Sequence, residues 1–280
     1  MTVAEALTSA RTRLTEAGVA EPGREAASLL GHALDRPHAF LIAHPEYTLS
    51  PSEAELFQSV LSRRSAREPF QYITGKQEFW GLEFNVAPGV LIPRPETEVL
   101  VEAAIEFLKP IRHPRFVEAG VGTGCVSISL LHSIRNASAV ATDLSDTALE
   151  LASANAEKFG VRDRLLLEKA DLFSGITGEF DLVVSNPPYI PDADVEDLQP
   201  EVRDHEPHTA LAGGEDGLDI VRRILSEVRH ILRAGGVLML EIGAGQAGAV
   251  TGMFDQDVWE QPSVRYDLQS IARVVFARLR

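Results

Sequence analysis

"RFVEAGVGTGC", Arg115 to Cys125, decides how this chain folds. Its first five residues read as a short, largely apolar strand, after which Gly120, Gly122 and Gly124 let the backbone turn sharply into a helix. The same alternation recurs downstream. "SAVAT" (138–142), "RLLLE" (164–168), "FDLVVS" (180–185) and "GGVLMLEI" (235–242) look like further buried strands. "SDTALELASANAEKFG" (145–160) and "GLDIVRRILSEVRHIL" (217–232) look like helices between them. Near-continuous apolar strands that alternate with helices predict an α/β, doubly wound, mostly parallel sheet. Ligands of such sheets lie beyond the C-terminal ends of the strands, which is where chemistry is sought.

Upstream the pattern is different. "MTVAEALTSARTRLTEAG" spaces Val3, Ala6, Leu7, Ala10 and Leu14 at helical intervals, without the basic-then-apolar order of a signal peptide. In "SPSEAELF", Ser50 reads as an N-cap, Pro51 as the first helical residue and Glu53 as the partner that closes a capping box; Ala54, Phe57 and Leu61 form the apolar face. "KQEFWGLEFNV" (76–86) flanks Gly81 with apolar stretches and predicts a β-hairpin. "PRPETEVLVEAAIEFL" (93–108) then opens a helix at Pro95 with acidic residues in its first turn. The expected organisation is a small N-terminal helical domain over 1–75, a β-hairpin connector over 76–94 and a larger domain over 95–280.

Composition narrows the function. The chain has 280 residues, 45% of them hydrophobic, and its apolar runs stop short of the roughly 20 residues that a membrane helix needs. A soluble, cytoplasmic protein is expected. One cysteine, Cys125, excludes an internal disulfide or a multi-cysteine metal site, and its place after the glycine loop reads as a small buried residue. A formal charge of −15 disfavours a protein that must lie along a phosphate backbone.

Three successive strand ends carry a coherent set of side chains. The loop at Gly120 and Gly122 fails the strict dinucleotide fingerprint, because its third glycine would fall at Cys125, and a glycine loop by itself also serves as a ligand-free turn. Asp143 stands about 20 residues on, where a carboxylate accepts both ribose hydroxyl protons of a nucleoside. It could instead cap the next helix, a task for which Ser145 is also available. Asp171 and Leu172, in "KADLF", end the third strand and would border an adenine. The order suits an adenosyl ligand without a pyrophosphate.

The fourth strand ends in "VSNPPYI", Val184 to Ile190, where two consecutive prolines forbid helix and sheet pairing and hold the backbone rigid and extended. "NPPY", Asn186 to Tyr189, resembles the catalytic motif of S-adenosylmethionine-dependent methyltransferases that modify planar nitrogens. With "REPFQYITGKQEFWGLEFNVAPGVLIPRPETE" before the glycine loop and "EPHTALAGGEDGLD" after the motif, the chain resembles the peptide-chain-release-factor N5-glutamine methyltransferase family over nearly its whole length. The resemblance implies a Rossmann-like, seven-stranded sheet with one antiparallel strand. It implies S-adenosyl-L-methionine as cofactor, S-adenosyl-L-homocysteine as product, and the glutamine of the Gly-Gly-Gln loop of release factors as target. The cofactor would lie against Glu118, Ala119, Gly120, Val121, Gly122, Asp143, Asp171, Leu172 and Asn186.

A glutamine amide is a weak nucleophile, since its nitrogen lone pair is delocalised into the carbonyl. An enzyme must orient both N–H groups and favour charge on nitrogen as the methyl arrives. The Asn186 side-chain carbonyl and the Pro187 main-chain carbonyl provide two acceptors, and Tyr189 a ring face for the flat amide, so that Asn186, Pro187, Pro188 and Tyr189 form the expected substrate clamp. The alternative is an adenine-N6 methyltransferase acting on DNA or RNA, whose clamp would hold a flipped base. The acidic composition and the lack of Lys/Arg tracts count against it.

Other clusters carry less. "RDHEPHTA" places His205 and His208 among acidic residues, but in a polar, proline-bearing loop without a helical pair of ligands, so no metal is expected and a lid or substrate contact is the better reading. Arg94 and Glu96 either line the cleft or cap a helix and pair at the surface. Two departures from the family pattern stand out: Glu118-Ala119 replaces the usual Asp-Leu, and "DLQSIARVVFARLR" lacks the glycine and acidic residue common before the last strand.

Overall fold

Thr2 starts the first helix, α1 (Val3–Glu16), by a capping box: its hydroxyl accepts from the Glu5 N–H and the Glu5 carboxylate accepts from the Thr2 N–H. In this computed structural model, which describes residues 1–280, four more helices follow: α2 (Pro22–Leu34), α3 (His38–Ala43), α4 (Pro51–Ser65) and α5 (Phe70–Thr74). Ser50 and Glu53 close the predicted capping box of α4. Phe57 and Leu61 are buried against Leu14, Leu29 and Leu30, whereas Ala54 lies at the margin of that core.

The chain divides into two compact units, Met1–Lys76 with Gln199–His205, and Gln77–Leu198 with Glu206–Arg280. The second segment of the first unit contains a short helix, α9 in chain order (Pro200–Arg203), and is held there by charge. Arg64, 4% exposed, ion-pairs with Glu25 and, at 2.8 Å, with Glu201, which Arg67 also grips at 2.6 Å. Burial opposes ionisation of Glu201, but the two guanidinium groups prevail and hold its carboxyl at about 2.

The hairpin β1 (Lys76–Phe79) and β2 (Leu82–Asn85) follows, with all but its first residue in the second unit. Its two-residue turn puts Trp80 at φ 53° and Gly81 at φ 67°, as a type I′ turn requires. Trp80 tolerates this conformation because its backbone N–H donates to Glu98 at 2.7 Å and its indole N–H to Ser133 at 3.2 Å. Phe79 and Phe84 are buried in the main core of this unit.

Next come α6 (Glu98–Leu108), β3 (Arg115–Ala119), α7 (Cys125–Ser133), β4 (Ser138–Asp143), α8 (Asp146–Lys158), β5 (Leu165–Lys169), β6 (Phe180–Ser185), α10 (Asp219–Glu227), β7 (Leu232–Glu241), α11 (Ala247–Thr251), β8 (Ser263–Tyr266) and β9 (Ala272–Arg278). The sheet has seven strands in the order β5-β4-β3-β6-β7-β9-β8, with β9 antiparallel to both of its neighbours. Each strand alternates its apolar residues between two faces: Phe116, Leu182 and Met239 pack towards α6, α7 and α8, while Val117, Val183 and Leu240 pack towards α10 and α11. The strand order reverses between β3 and β6, and a crevice opens at such a switch point. No helix is long and apolar enough to cross a membrane.

The turn before β9 is closed without the expected glycine. Ser270 takes the left-handed conformation itself, at φ 61°, and the Asp267 carboxylate accepts from the backbone N–H groups of Gln269 and Ile271 at 2.8 and 3.0 Å. Asp267 supplies the acidic group from four residues before Ile271, and Arg273 pairs with it at 2.7 Å.

One amide joins the hairpin to the sheet. Asn155 of α8 is fully buried; its Oδ1 accepts from the Asn85 N–H at 2.9 Å, and its Nδ2 donates to the Asn85 and Thr123 carbonyls at 3.0 and 2.9 Å. Asn155→Ala orphans a backbone donor and two acceptors, so unfolding in urea should show a loss of stability of at least the 1–3 kcal/mol that roughly one buried unpaired group costs. Retention of full stability would show that water replaces the amide at no cost.

Candidate active site

Beyond the C-terminal ends of β3, β4, β5 and β6 lies a cavity of about 420 Å³. The predicted glycine loop forms one wall, from Ala119 through Gly120, Val121 and Gly122. Asp143 enters from the end of β4, Asp171 and Leu172 from the end of β5, and Asn186, Pro187 and Pro188 from the end of β6. Two backbone bonds fix the Asp143 carboxylate: Oδ2 accepts from Gly122 N–H at 3.0 Å and Oδ1 from Ser145 N–H at 2.9 Å. Each oxygen keeps a lone pair, so the group can still accept two hydroxyl protons. Ser145 caps α8, which leaves Asp143 free of that task. Leu172 sits at φ 50°, a left-handed conformation that a leucine adopts only where its surroundings enforce it, and this strain lies at the cavity wall. Asp171 ion-pairs at 3.0 Å with Arg223 of α10, which also borders the cavity.

Glu118 touches the cavity, but its carboxyl is turned into the protein. It accepts from the Ser127 N–H at 2.9 Å and is bonded by the Ser127 hydroxyl, in the first turn of α7. Burial pushes this carboxyl up to about 8, against the lowering effect of Ser127. The longer reach of glutamate over aspartate is spent on this contact. Cys125 is likewise pushed up to about 12, first by burial and then by Glu118, and carries no reactive thiolate.

Tyr189 is not in the wall formed by Asn186, Pro187 and Pro188. Its ring is half-buried against Gly243, and burial together with the Glu241 charge pushes its hydroxyl up to about 12. Arg94 lines the cavity and pairs with buried Glu206, whose carboxylate also accepts from the Ile92 N–H at 3.3 Å; Glu96 lies 3.9 Å from Arg273 instead. Of the "RDHEPHTA" loop, Pro207, Thr209 and Ala210 border the cavity, while His205 and His208 do not. No three His, Cys, Asp or Glu side chains gather as a metal-ligand group.

Sequence reasoning missed the parts that hold the proline turn. Ile190 donates to the Leu211 carbonyl at 3.0 Å and accepts from Gly213 N–H at 2.8 Å. Gln246 donates to the Tyr189 carbonyl at 2.9 Å while accepting from Gly243 N–H at 2.8 Å. Backbone runs against backbone: a Cβ on Gly213 would stand 2.6 Å from the Pro188 carbonyl oxygen, and one on Gly217 2.2 Å from that of Tyr189. The glycines of "LAGGEDG" were a visible signal, whereas Gln246 gave none. Gly217→Ala combines left-handed strain with a backbone clash and should cost about 2–4 kcal/mol in urea unfolding. Gly245→Ala, at φ 86° with open space around its Cβ, should cost only the strain, about 1–2 kcal/mol. Equal losses for the two would remove the brace.

Residues 5–75 match the model of the PrmC N-terminal domain and residues 96–200 that of the methyltransferase small domain. The release factor glutamine methyltransferase of Cereibacter sphaeroides is 43% identical over 279 residues, covering 100% of this chain and 99% of its own. That of Geobacter sulfurreducens is 42% identical, covering 99% of this chain and 97% of its own. Among solved structures, a methyltransferase from Pyrococcus furiosus shares the fold at a TM-score of 0.52, with 16% identity over 79% of this chain and 96% of its own. The glycine loop, the strand-end carboxylates and the proline turn around one cavity thus accompany full-length sequence identity, and the chain belongs to the release factor glutamine methyltransferase family.

Proposed function

We propose that the protein transfers a methyl group from S-adenosylmethionine to the side-chain amide nitrogen of a glutamine in peptide chain release factors, in the cytoplasm. The observation that carries this reading is the position of Asn186 and Pro187 at the rim of the cavity that also contains Asp143 and the glycine loop. The full-length relatives bear the release factor name, and the chain's charge of −15 gives no support to the alternative of an adenine base in DNA or RNA.

The residues present fit the cofactor. Asp143 has acceptor capacity for a ribose diol, Leu172 offers an apolar edge for a base, and the Gly120 turn leaves open space where a Cβ would project. When bound, S-adenosylmethionine supplies an electrophilic methyl group on a sulfonium. Asp143, held by backbone N–H groups alone, places one carboxylate in the cavity, whereas the Asp171 charge is matched by Arg223 of the same wall.

The chain's own part is orientation. Asn186 Nδ2 donates to Thr97 Oγ1 at 3.2 Å, so Oδ1 is the end of the carboxamide left for the substrate. Together with the Pro187 carbonyl it would accept both N–H bonds of the glutamine amide, aim the nitrogen lone pair and favour the charge that grows there. Tyr189, beside the cavity wall rather than in it, would flank the amide with its ring only where the substrate extends past that wall. The helical unit, which carries none of these groups, is assigned to recognition of the release factor.

Purified enzyme, labelled S-adenosylmethionine and a release factor should give methylated glutamine, and DNA should remain unlabelled. Asn186→Ala should lower single-turnover methylation by about 10²–10³, the cost of losing one preorganised polar group. In a separate calorimetric titration, Asp143→Ala should weaken cofactor affinity by about 1–3 kcal/mol. Label in adenine rather than glutamine, or an Asn186→Ala enzyme as fast as the unmodified one, would overturn the reading.

A further inference from the structure

Behind Asn186 stands a buried acid that the reading above leaves unused. Glu241 ends β7 and is 1% exposed. The Thr97 hydroxyl and the Asn186 carboxamide both lie near enough to stabilise its charged form, while its Oε2 has no partner at hydrogen-bonding distance. Thr97, 2% exposed at the entry to α6, accepts from Asn186 Nδ2 at 3.2 Å.

The donor count decides the direction of this chain. A hydroxyl has one proton, and an ionised carboxylate only accepts. An ionised Glu241 would draw the single Thr97 proton towards itself and leave Thr97 to accept from Asn186 Nδ2, as it does at 3.2 Å, which turns the NH2 end of the carboxamide inward and Oδ1 to the cavity. A flipped carboxamide would present N–H groups to the N–H groups of the substrate amide.

We infer that Glu241 and Thr97 form an orienting relay that fixes which end of the Asn186 carboxamide faces the cavity. Both are positioning residues, and the inference rests on the proposed use of Asn186 as an acceptor. A buried acid is a poor choice for packing, since its desolvation is costly unless the charge is used. Burial pushes Glu241 up to about 7, with Thr97, Arg273 and Asn186 pulling it down and Glu96 pushing it up; the Tyr189 hydroxyl and the Cys125 thiol feel its charge as well. Once Glu241 is protonated, Thr97 can accept from it and donate to Asn186 Oδ1, which permits the flip.

Two readouts test the relay. In the first, Thr97→Val should lower single-turnover methylation of a release factor by about 10–100-fold, the range for outer-shell partners of a functional group, with cofactor affinity by calorimetry unchanged. Thr97→Ser should restore the rate to within about threefold, because it keeps the hydroxyl. In an Asn186→Ala background Thr97→Val should cost nothing more, since a relay acts only through Asn186. The rate of the unmodified enzyme should fall as pH drops below 7, and Glu241→Gln should abolish this acid limb. In the second, which needs no substrate, the Asn186 side-chain NH2 resonances of 15N-labelled protein, assigned by their loss in Asn186→Asp, should shift with pH near 7 in the unmodified protein and not in Glu241→Gln. An equal loss from Thr97→Val with and without Asn186, failure of Thr97→Ser to restore the rate, or NH2 resonances that ignore Glu241 would overturn the relay. An enzyme that labels no glutamine while its Asn186 resonances follow Glu241 would overturn the proposed reaction and leave the relay standing.

Discussion

Two consecutive prolines at the end of β6 impose the constraint on which the site depends. Pro187 and Pro188 have no N–H groups, so the segment that carries Asn186 cannot be tied down by a strand ladder of its own. Everything that fixes it must come from elsewhere in the chain. The Leu211–Gly217 loop lies flush on the Pro188 and Tyr189 carbonyls, Gln246 bridges Tyr189 to Gly243, and Ser185 Oγ donates to the Ala119 carbonyl at 2.8 Å, joining the ends of β6 and β3. The prolines supply stiffness along the segment. The brace supplies its direction.

The cofactor side is built by a different device. Here backbone donors hold side chains: Gly122 and Ser145 fix Asp143, and Ser127 holds Glu118. Asp143 stays at the cavity with acceptor capacity to spare, while Glu118 is drawn into the protein and its acidity is suppressed by burial. Two carboxylates that begin as equivalent strand-end acids therefore take different parts, one facing a ligand and one supporting the first turn of α7.

Buried polar side chains recur where irregular backbone meets the sheet. Asn155 satisfies the backbone of Asn85 and Thr123, Glu206 satisfies Ile92, and Arg64 gathers Glu25 and Glu201 around the segment that contains α9. Each stands at a place where the chain leaves regular structure and would otherwise bury unpaired groups. Such contacts contribute less to net stability than to the uniqueness of the geometry.

The sequence by itself determined the five strands from β3 to β7, the glycine turn, the caps at Ser50 and Ser145 and the acids at the strand ends, because these follow from local periodicity and from backbone chemistry within a few residues, whereas the short β8 carries no such pattern. The proline motif was legible for the same reason, since its rigidity is a property of four consecutive residues. Only the tertiary structure decided that Glu118 turns inward, that Tyr189 stands beside the cavity wall rather than in it, and that Thr97, Gln246 and Glu241 converge on Asn186 and Tyr189. Thr97 lies 89 residues from Asn186 along the chain, and Gln246 57 from Tyr189. A charge that ends the apolar run "GGVLMLEI" could be seen in advance, but what it faces depends on which strands become neighbours. That is settled by the burial of both faces of the sheet and not by any local preference.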